Sequence, residues 1–239
     1  MARPPYPVRV RIDYNPRSSR VWAILTMTLV KFVALFPHLV ALVVLSILTL
    51  VAFFAAQVMV LVRGTYPRPL FAFVTGVLRW QTRVYAFALS LTDVYPPFSL
   101  EPIPDYPVDL EIEYPERSSP WLASLTIAAL IFWLSVILPL GWGAYGAVPQ
   151  LQFQPLDNLT NVRFLALLPH YVVLFFFFLA ALIVFAVGQL MILVGGGLPP
   201  GMHAFIAGWL RWTVRVSAWL WGLVDAYPPF TTEEARPER

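Results

Sequence analysis

Two histidines, His38 and His170, each follow a proline at the start of a long apolar run. Paired imidazoles in apolar surroundings are groups that can ligate haem or hold a chlorophyll-type pigment. The same places also suit a histidine that satisfies a helix N-terminus at a membrane boundary. Two further phrases, Arg79-Trp80 with Arg83 and Arg211-Trp212 with Arg215, offer guanidinium groups for anionic headgroups or a partner's acidic surface, beside indoles that anchor an interface. Gln57 and Gln189, near the ends of apolar stretches, carry amides that can bond between helices. The sequence shows no Ser-His-Asp set, no carboxylate pair and no metal-ligand spacing. Gly195-Gly196-Gly197 lacks the Lys-Ser/Thr of a phosphate loop. Cysteine is absent, which removes thiol catalysis, disulfides and zinc-thiolate sites. The residues thus point away from an enzyme. No metal and no cofactor are expected, the histidine pair being the one place for a haem or pigment.

The elements that must position these groups belong to a membrane. Of the 239 residues, 59% are hydrophobic and 12% charged, with a mean hydropathy of +0.71. Soluble domains carry about 25% charged residues. The runs 38–62, 121–148 and 170–194 contain no charged residue, and each exceeds the roughly 20 residues that cross a bilayer. The start, MARPPYPVRVRIDY, has no apolar core, so no cleaved secretory signal is expected.

The chain is one unit written twice. VKFVALFPHLV (30–40) matches VRFLALLPHYV (162–172) at an offset of 132, as do Gln57 with Gln189 and Arg79-Trp80 with Arg211-Trp212. LTDVYPPF closes the first copy at Phe98, and LVDAYPPF closes the second at Phe230. Upstream the offset is 100, where YPVRVRIDYNPRSS (6–19) matches YPVDLEIEYPERSS (106–119). Residues 1–100 therefore form a first membrane module, and 101–239 a second that holds a 32-residue insertion at about 120–161.

Read in order, YPV…RSS, the Phe-x-Ala-x-x-Pro-His phrase, a long apolar run, Gly-Val-Leu-Arg-Trp and Asp-x-Tyr-Pro-Pro-Phe, the chain resembles the bacterial membrane proteins of domain-of-unknown-function family 4389. The resemblance covers Tyr6–Leu100 and, with the insertion, Tyr106–Phe230. It implies a membrane location in two tandem copies and no activity. GGGLPPGMHAF in the second copy departs from RGTYPRPLFAF in the first.

Within each module, period-two alternation predicts a short strand at 8–14 and 108–114. The polar faces carry opposite sign, Arg9, Arg11 and Asp13 against Asp109, Glu111 and Glu113, so the strands are expected to pair outside the bilayer. The segments 70–91 and 204–224 read as amphipathic helices in the headgroup plane, with Arg79, Arg83, Arg211 and Arg215 at phosphates. Asp93 and Asp225 are expected to end them. Pro96, Pro97, Pro228 and Pro229 force an extended exit, and Tyr95 and Tyr227 suit the headgroup layer. If Val21–Phe36 also spans, turning into 38–62 at Phe36-Pro37-His38, all but Lys31 and Arg163 of the 16 basic residues fall on one side. Lys31 then snorkels at the outer end.

The expected fold is thus mainly α and integral to the membrane, each module a cytoplasmic strand, a transmembrane hairpin and an interfacial helix. It has four transmembrane helices. Both YPPF phrases lie on one side about a pseudo-two-fold axis along the membrane normal. The expected location is the bacterial plasma (inner) membrane, multi-pass, with both termini cytoplasmic. The expected role is a non-catalytic subunit or scaffold of a larger membrane complex, its partners being integral membrane proteins and phospholipids and not nucleic acid. A small transporter or lipid-handling protein is the alternative, and a haem or pigment carrier using His38 and His170 a further one.

Overall fold

The structure, a computed structural model, describes residues 6–128 and 162–234. It is mostly helical, with one pair of short strands. β1 (Val8–Ile12) and β2 (Val108–Ile112) alternate buried apolar and outward polar residues. They pair antiparallel, with Val10 opposite Leu110. Those two residues are equivalents in the duplication. A pseudo-two-fold axis perpendicular to the sheet therefore passes between them and relates the copies. Arg9 faces Glu111 across the ladder, Nη1 to Oε2 3.5 Å.

The helices are α1 (Arg20–Met27), α2 (Val30–Ala34), α3 (Phe36–Arg63), α4 (Arg68–Ala88), α5, which starts at 120 and is described to 128, α6 (Val162–Gly195) and α7 (Pro200–Leu220). Ser19 caps α1, its side chain accepting from the Trp22 N–H. Pro37 lies in the first turn of α3, and Gly64 ends that helix in the left-handed region at φ 70°. The matched helices α4 and α7 end through residues in the same region, Ser90 at φ 57° and Gly222 at φ 66°. The N–H groups of Leu91 and Leu223 bond back to Ala86 and Ala218. These left-handed residues end the helices. Asp93 and Asp225, expected to do so, lie beyond and have another role.

Among the described residues two helices are long and apolar enough to cross a membrane, α3 with a mean hydropathy of 2.9 and Ala166–Gly195 of α6 with 2.8. Only 28% and 17% of their most apolar windows are buried, unlike the core helix of a soluble protein. The expectation of four transmembrane helices fails at Val21–Phe36. The chain reverses at Thr28-Leu29, with Leu29 left-handed at φ 62°. The eight residues of α1 reach about 12 Å, against roughly 30 Å of hydrocarbon. The reversal turns Lys31 inward. Its Nζ donates to Ser90 Oγ at 3.0 Å and sits 4.4 Å from the Phe87 ring, fully buried rather than snorkelling. The expected span 121–148 and the insertion lie, beyond residue 128, outside the described residues. The insertion falls where the first copy makes its Thr28-Leu29 turn.

The long helices lie side by side, α3 against α4, α4 against α7 and α7 against α6, with α1 on α6. The copies exchange contacts: β2 lies on α4 and β1 on α7. Ala23 of α1 packs with Ile192 and Leu198. Ser18 N–H donates to Gly196 O, and Ser118 N–H to Gly64 O.

Hydrogen bonds at the strand ends fix direction. Tyr6 Oη donates to Ala226 O, past the end of α7, and Tyr14 Oη to Leu198 O, before its start. Tyr106 Oη donates to Val94 O and Tyr114 Oη to Tyr66 O, the two ends of α4. Each strand thus runs alongside a helix from end to end. The closing phrases sit at opposite ends of this slab. Asp93 holds Ser19 near the start of α3, whereas Asp225 holds Ser119, whose neighbour Ser118 binds Gly64 at the end of α3. Were α3 to span, the phrases would lie on opposite membrane faces, contrary to the expectation of four spans with both on one side.

Candidate functional site: a histidine–tryptophan latch written twice

Each copy folds its closing phrase back over the start of its own long helix. Tyr95 Oη donates to Ala34 O at 2.7 Å, and Tyr227 Oη to Ala166 O. Phe98 stacks on His38 with ring centroids 3.8 Å apart, and Phe230 on His170 at 3.9 Å. Trp80 Nε1 donates to His38 Nδ1 at 3.1 Å, and Trp212 Nε1 to His170 Nδ1 at 2.9 Å. Pro96 and Pro228 are buried in the bend. Both histidines are fully buried.

This geometry sets the imidazole chemistry. An indole N–H can only donate, so each Nδ1 is an acceptor, and the neutral ring carries its proton on Nε2. A ligating histidine has the reverse arrangement, donating from one nitrogen while the other binds the metal. The stacked Phe98 and Phe230 also close one face of each ring. The two rings lie in different copies, on α3 and α6 at the two outer sides of the helix row, with α4 and α7 between them, about 25 Å at 8–10 Å per helix spacing. The pair therefore does not fit a shared haem, and neither ring as placed offers a free lone pair to a haem or pigment. Among the described residues no group of three or more His, Cys, Asp or Glu could hold a metal ion.

The arginines, expected at lipid phosphates, point into the protein. Arg83 and Arg215 are 0% and 1% exposed, and Trp80 and Trp212 are each 6% exposed. Arg83 donates to Ser99 O and Glu101 O, and Arg215 to the equivalent Thr231 O and Glu233 O. Arg79 Nε donates to Leu110 O at 3.0 Å, and Arg211 Nε to Val10 O at 3.1 Å. A two-stranded sheet has two free edges whose carbonyls need donors. These arginines supply them, each copy covering the strand of the other. A guanidinium, with five donors in a rigid fork, suits several carbonyls at once. The chain after each phrase must then lie close to the helix. A Cβ on Gly76 would stand 2.9 Å from Leu100 Cβ, and one on Gly208 2.8 Å from Thr232 Cβ. Burial pushes the Tyr6 and Tyr106 phenols up, against the nearby Arg215 and Arg83, and keeps them neutral donors.

Several residues central to this arrangement carry no chemical motif. Asp93 Oδ2 accepts from Ser19 N–H at 2.7 Å and from Asn15, and Asp225 Oδ2 accepts from Ser119 N–H at 2.7 Å. Each aspartate thus ties the end of a module to its repeated Arg-Ser-Ser start, the one signal that could have revealed the pairing. Asp109 lies 3.3 Å from Arg79 and 3.4 Å from Arg83. Gln57 and Gln189 are buried, and Gln189 Oε1 stands 3.5 Å from Ser90 Oγ of the other copy.

No curated protein and no solved structure matches the chain. A family model matches it twice, at residues 26–99 and 159–232, a span that holds both latches but begins after the strands and the Arg-Ser-Ser starts. The chain belongs to the family described as Domain of unknown function (DUF4389), in two tandem copies.

Proposed function

We propose that the protein is a non-catalytic membrane scaffold, a subunit that packs laterally against other integral membrane proteins and their lipids. One observation carries this reading. The outer faces of α3 and α6 are broadly exposed and apolar, while the histidines, tryptophans and arginines of the repeated phrases are engaged inside the fold. Exposed apolar surface on this scale marks contact with lipid or protein. The first and last described segments lie on the strand side, Tyr6 leading into β1 and residues 231–233 bound by Arg215. This arrangement supports both termini on one face, the cytoplasmic one in a bacterial plasma membrane.

A lipid-handling role is favoured by one feature. A groove of about 430 Å³ opens between α3 and α4 beside Gln81 and Tyr85, sized for an acyl chain. Extraction in a mild detergent followed by native mass spectrometry tests the scaffold reading. Co-migration with a membrane partner is the expected result. A chain that runs alone as a monomer overturns it, and a monomer retaining stoichiometric phospholipid moves the reading to lipid handling.

A further inference from the structure

We propose that α3 and α6 do not cross the bilayer but lie in its plane, so that the whole slab lies flat in one leaflet with the two-stranded sheet facing water. The partner of the apolar face is the hydrocarbon of a single leaflet. The proposal rests on the membrane reading above and specifies its geometry.

The first argument is where the charges lie along the helices. The strands run parallel to α4 and α7 from end to end, as the Tyr6, Tyr14, Tyr106 and Tyr114 bonds require. The pseudo-two-fold passes through the middle of the sheet, so the sheet sits at the midpoint of the slab. Its outward face carries Arg9 and Glu111, with 45% and 71% of their side chains exposed, and Arg11 and Asp13, with 44% and 51%. If the helices stood along the membrane normal, these charges would lie at the centre of the hydrocarbon, where each is costly. Laying the helices flat removes every one of them to water.

The second argument is the chemistry of the opposite face. Gln81 and Tyr85 each follow a strand-binding arginine by two positions, about 200° around the helix, so they project away from the sheet. There they border the groove with Val43, Ile47 and Leu50 of α3, which are 61%, 61% and 47% exposed. The polar groups that border the groove bond within the protein, while Thr49 Oγ1 beneath it and Trp209 Nε1 in the second copy are buried without a partner. Gln81 donates to Tyr85 Oη, and Ser46 to Leu42 O. At the positions equivalent to Gln81 and Tyr85, Thr213 donates to Trp209 O and Ser217 to Thr213 O. Internal satisfaction of polar groups is what a lipid-facing surface requires. A helix about 10–12 Å across fits within the half-thickness of the hydrocarbon, roughly 15 Å.

In this orientation the pseudo-two-fold axis lies along the membrane normal. Both closing phrases then sit at one depth, at opposite rims of the slab and not on opposite faces. The exposed Arg17 and Arg63, near opposite ends, flank the rims at headgroup level.

The absence of cysteine makes the test direct. Arg17→Cys, Arg63→Cys and Glu111→Cys are made singly in the full chain. Each is exposed to a membrane-impermeant maleimide in right-side-out spheroplasts and in inverted vesicles, with a denatured sample giving full labelling. In-plane helices predict that all three react in one preparation and are protected in the other. Arg17→Cys and Arg63→Cys reacting in opposite preparations, or Glu111→Cys reacting in neither, overturns the proposal while leaving a membrane protein. Loss of the unsubstituted chain from membranes washed with alkaline carbonate overturns the membrane reading itself. Polarised infrared spectra of the unsubstituted protein in oriented phosphatidylethanolamine–phosphatidylglycerol bilayers check the result without a substitution. Helix amide I dichroism aligned with the bilayer plane supports the proposal, and alignment with the normal refutes it.

Discussion

The two copies differ most where their backbones agree best. In the first, Arg79 and Arg83 share the carboxylate of Asp109, which the second copy's strand supplies. The position equivalent to Asp109 is Arg9. Arg211 and Arg215 therefore face a strand with no carboxylate there and draw instead on the tail, through Glu234 at 3.9 Å and the carbonyls of Thr231 and Glu233. A second difference lies at the helix ends, where Ser90 in the first copy replaces Gly222. Serine in the left-handed region is strained. It is held there by Lys31 and Gln189, a polar cluster that the second copy cannot build around a glycine. A third lies on the apolar face. The open groove of the first copy is crowded in the second, where Phe178 occupies the place of Ser46 and packs on Trp209. Duplication preserved the backbone device and let the charges diverge, because a carbonyl accepts from an arginine whatever the side chain beside it.

This contrast can be broken or sharpened by substitution. The largest effect is expected at Arg83. Arg83→Ala should cost about 3 kcal/mol, because it leaves the carbonyls of Ser99 and Glu101 without their donor and takes from Asp109 one of its two arginine partners. Arg215→Ala should cost clearly less, since no carboxylate is left behind. Thermal unfolding in detergent measures both, and equal losses would show that Asp109 contributes nothing. Trp80→Phe and Trp212→Phe should each cost about 1–3 kcal/mol by leaving a buried Nδ1 without its donor. The two losses should agree, and a marked difference in denaturant midpoint would mean that the latches are not equivalent.

A smaller effect, with a sign that pH reveals, is expected at Lys31. Burial pushes its ammonium down to about 8, with the Asp93 charge opposing. The folded protein thus binds this proton less tightly than the unfolded chain. Below about pH 8 both states hold the proton, and stability does not change with pH through this group. As pH rises from about 8 towards the ordinary lysine value of 10.5, stability increases. Lys31→Met should abolish that rise and should stabilise most below pH 8. A rise that persists in the variant would assign it to another group. The smallest change is expected at the exposed Arg9–Glu111 pair. Glu111→Gln should move stability by less than about 0.5 kcal/mol, and a larger loss on chemical unfolding would show that the ladder charge, and not the strand backbone, holds the copies together.

Much of this architecture is legible in particular residues. The alternation at Val8–Ile12 and Val108–Ile112, with opposite charges on the polar faces, is enough to expect the pair that forms. The uncharged runs after His38 and His170 announce α3 and α6. The reading of Arg79, Arg83, Arg211 and Arg215 as lipid ligands failed for a definite reason. A guanidinium satisfies a phosphate and a row of carbonyls equally well, and no local pattern says which it will meet. Trp80 looked like an interfacial anchor because its acceptor, His38, is 42 residues away. The span expected at Val21–Phe36 rested on the one-sided division of the basic residues, which does not register a left-handed leucine at a turn.

The sequence alone determined that the chain is apolar and duplicated, since composition and repetition are properties of order. Tertiary structure decided where each polar group goes. It brought Asp93 to Ser19 and Asp225 to Ser119, closing each module on its own start. It set the copies about an axis that passes between Val10 and Leu110 and so laid charged strands along α4 and α7. The physical reason is that buried donors and free strand edges must be satisfied together, and only contacts across the two copies can satisfy both.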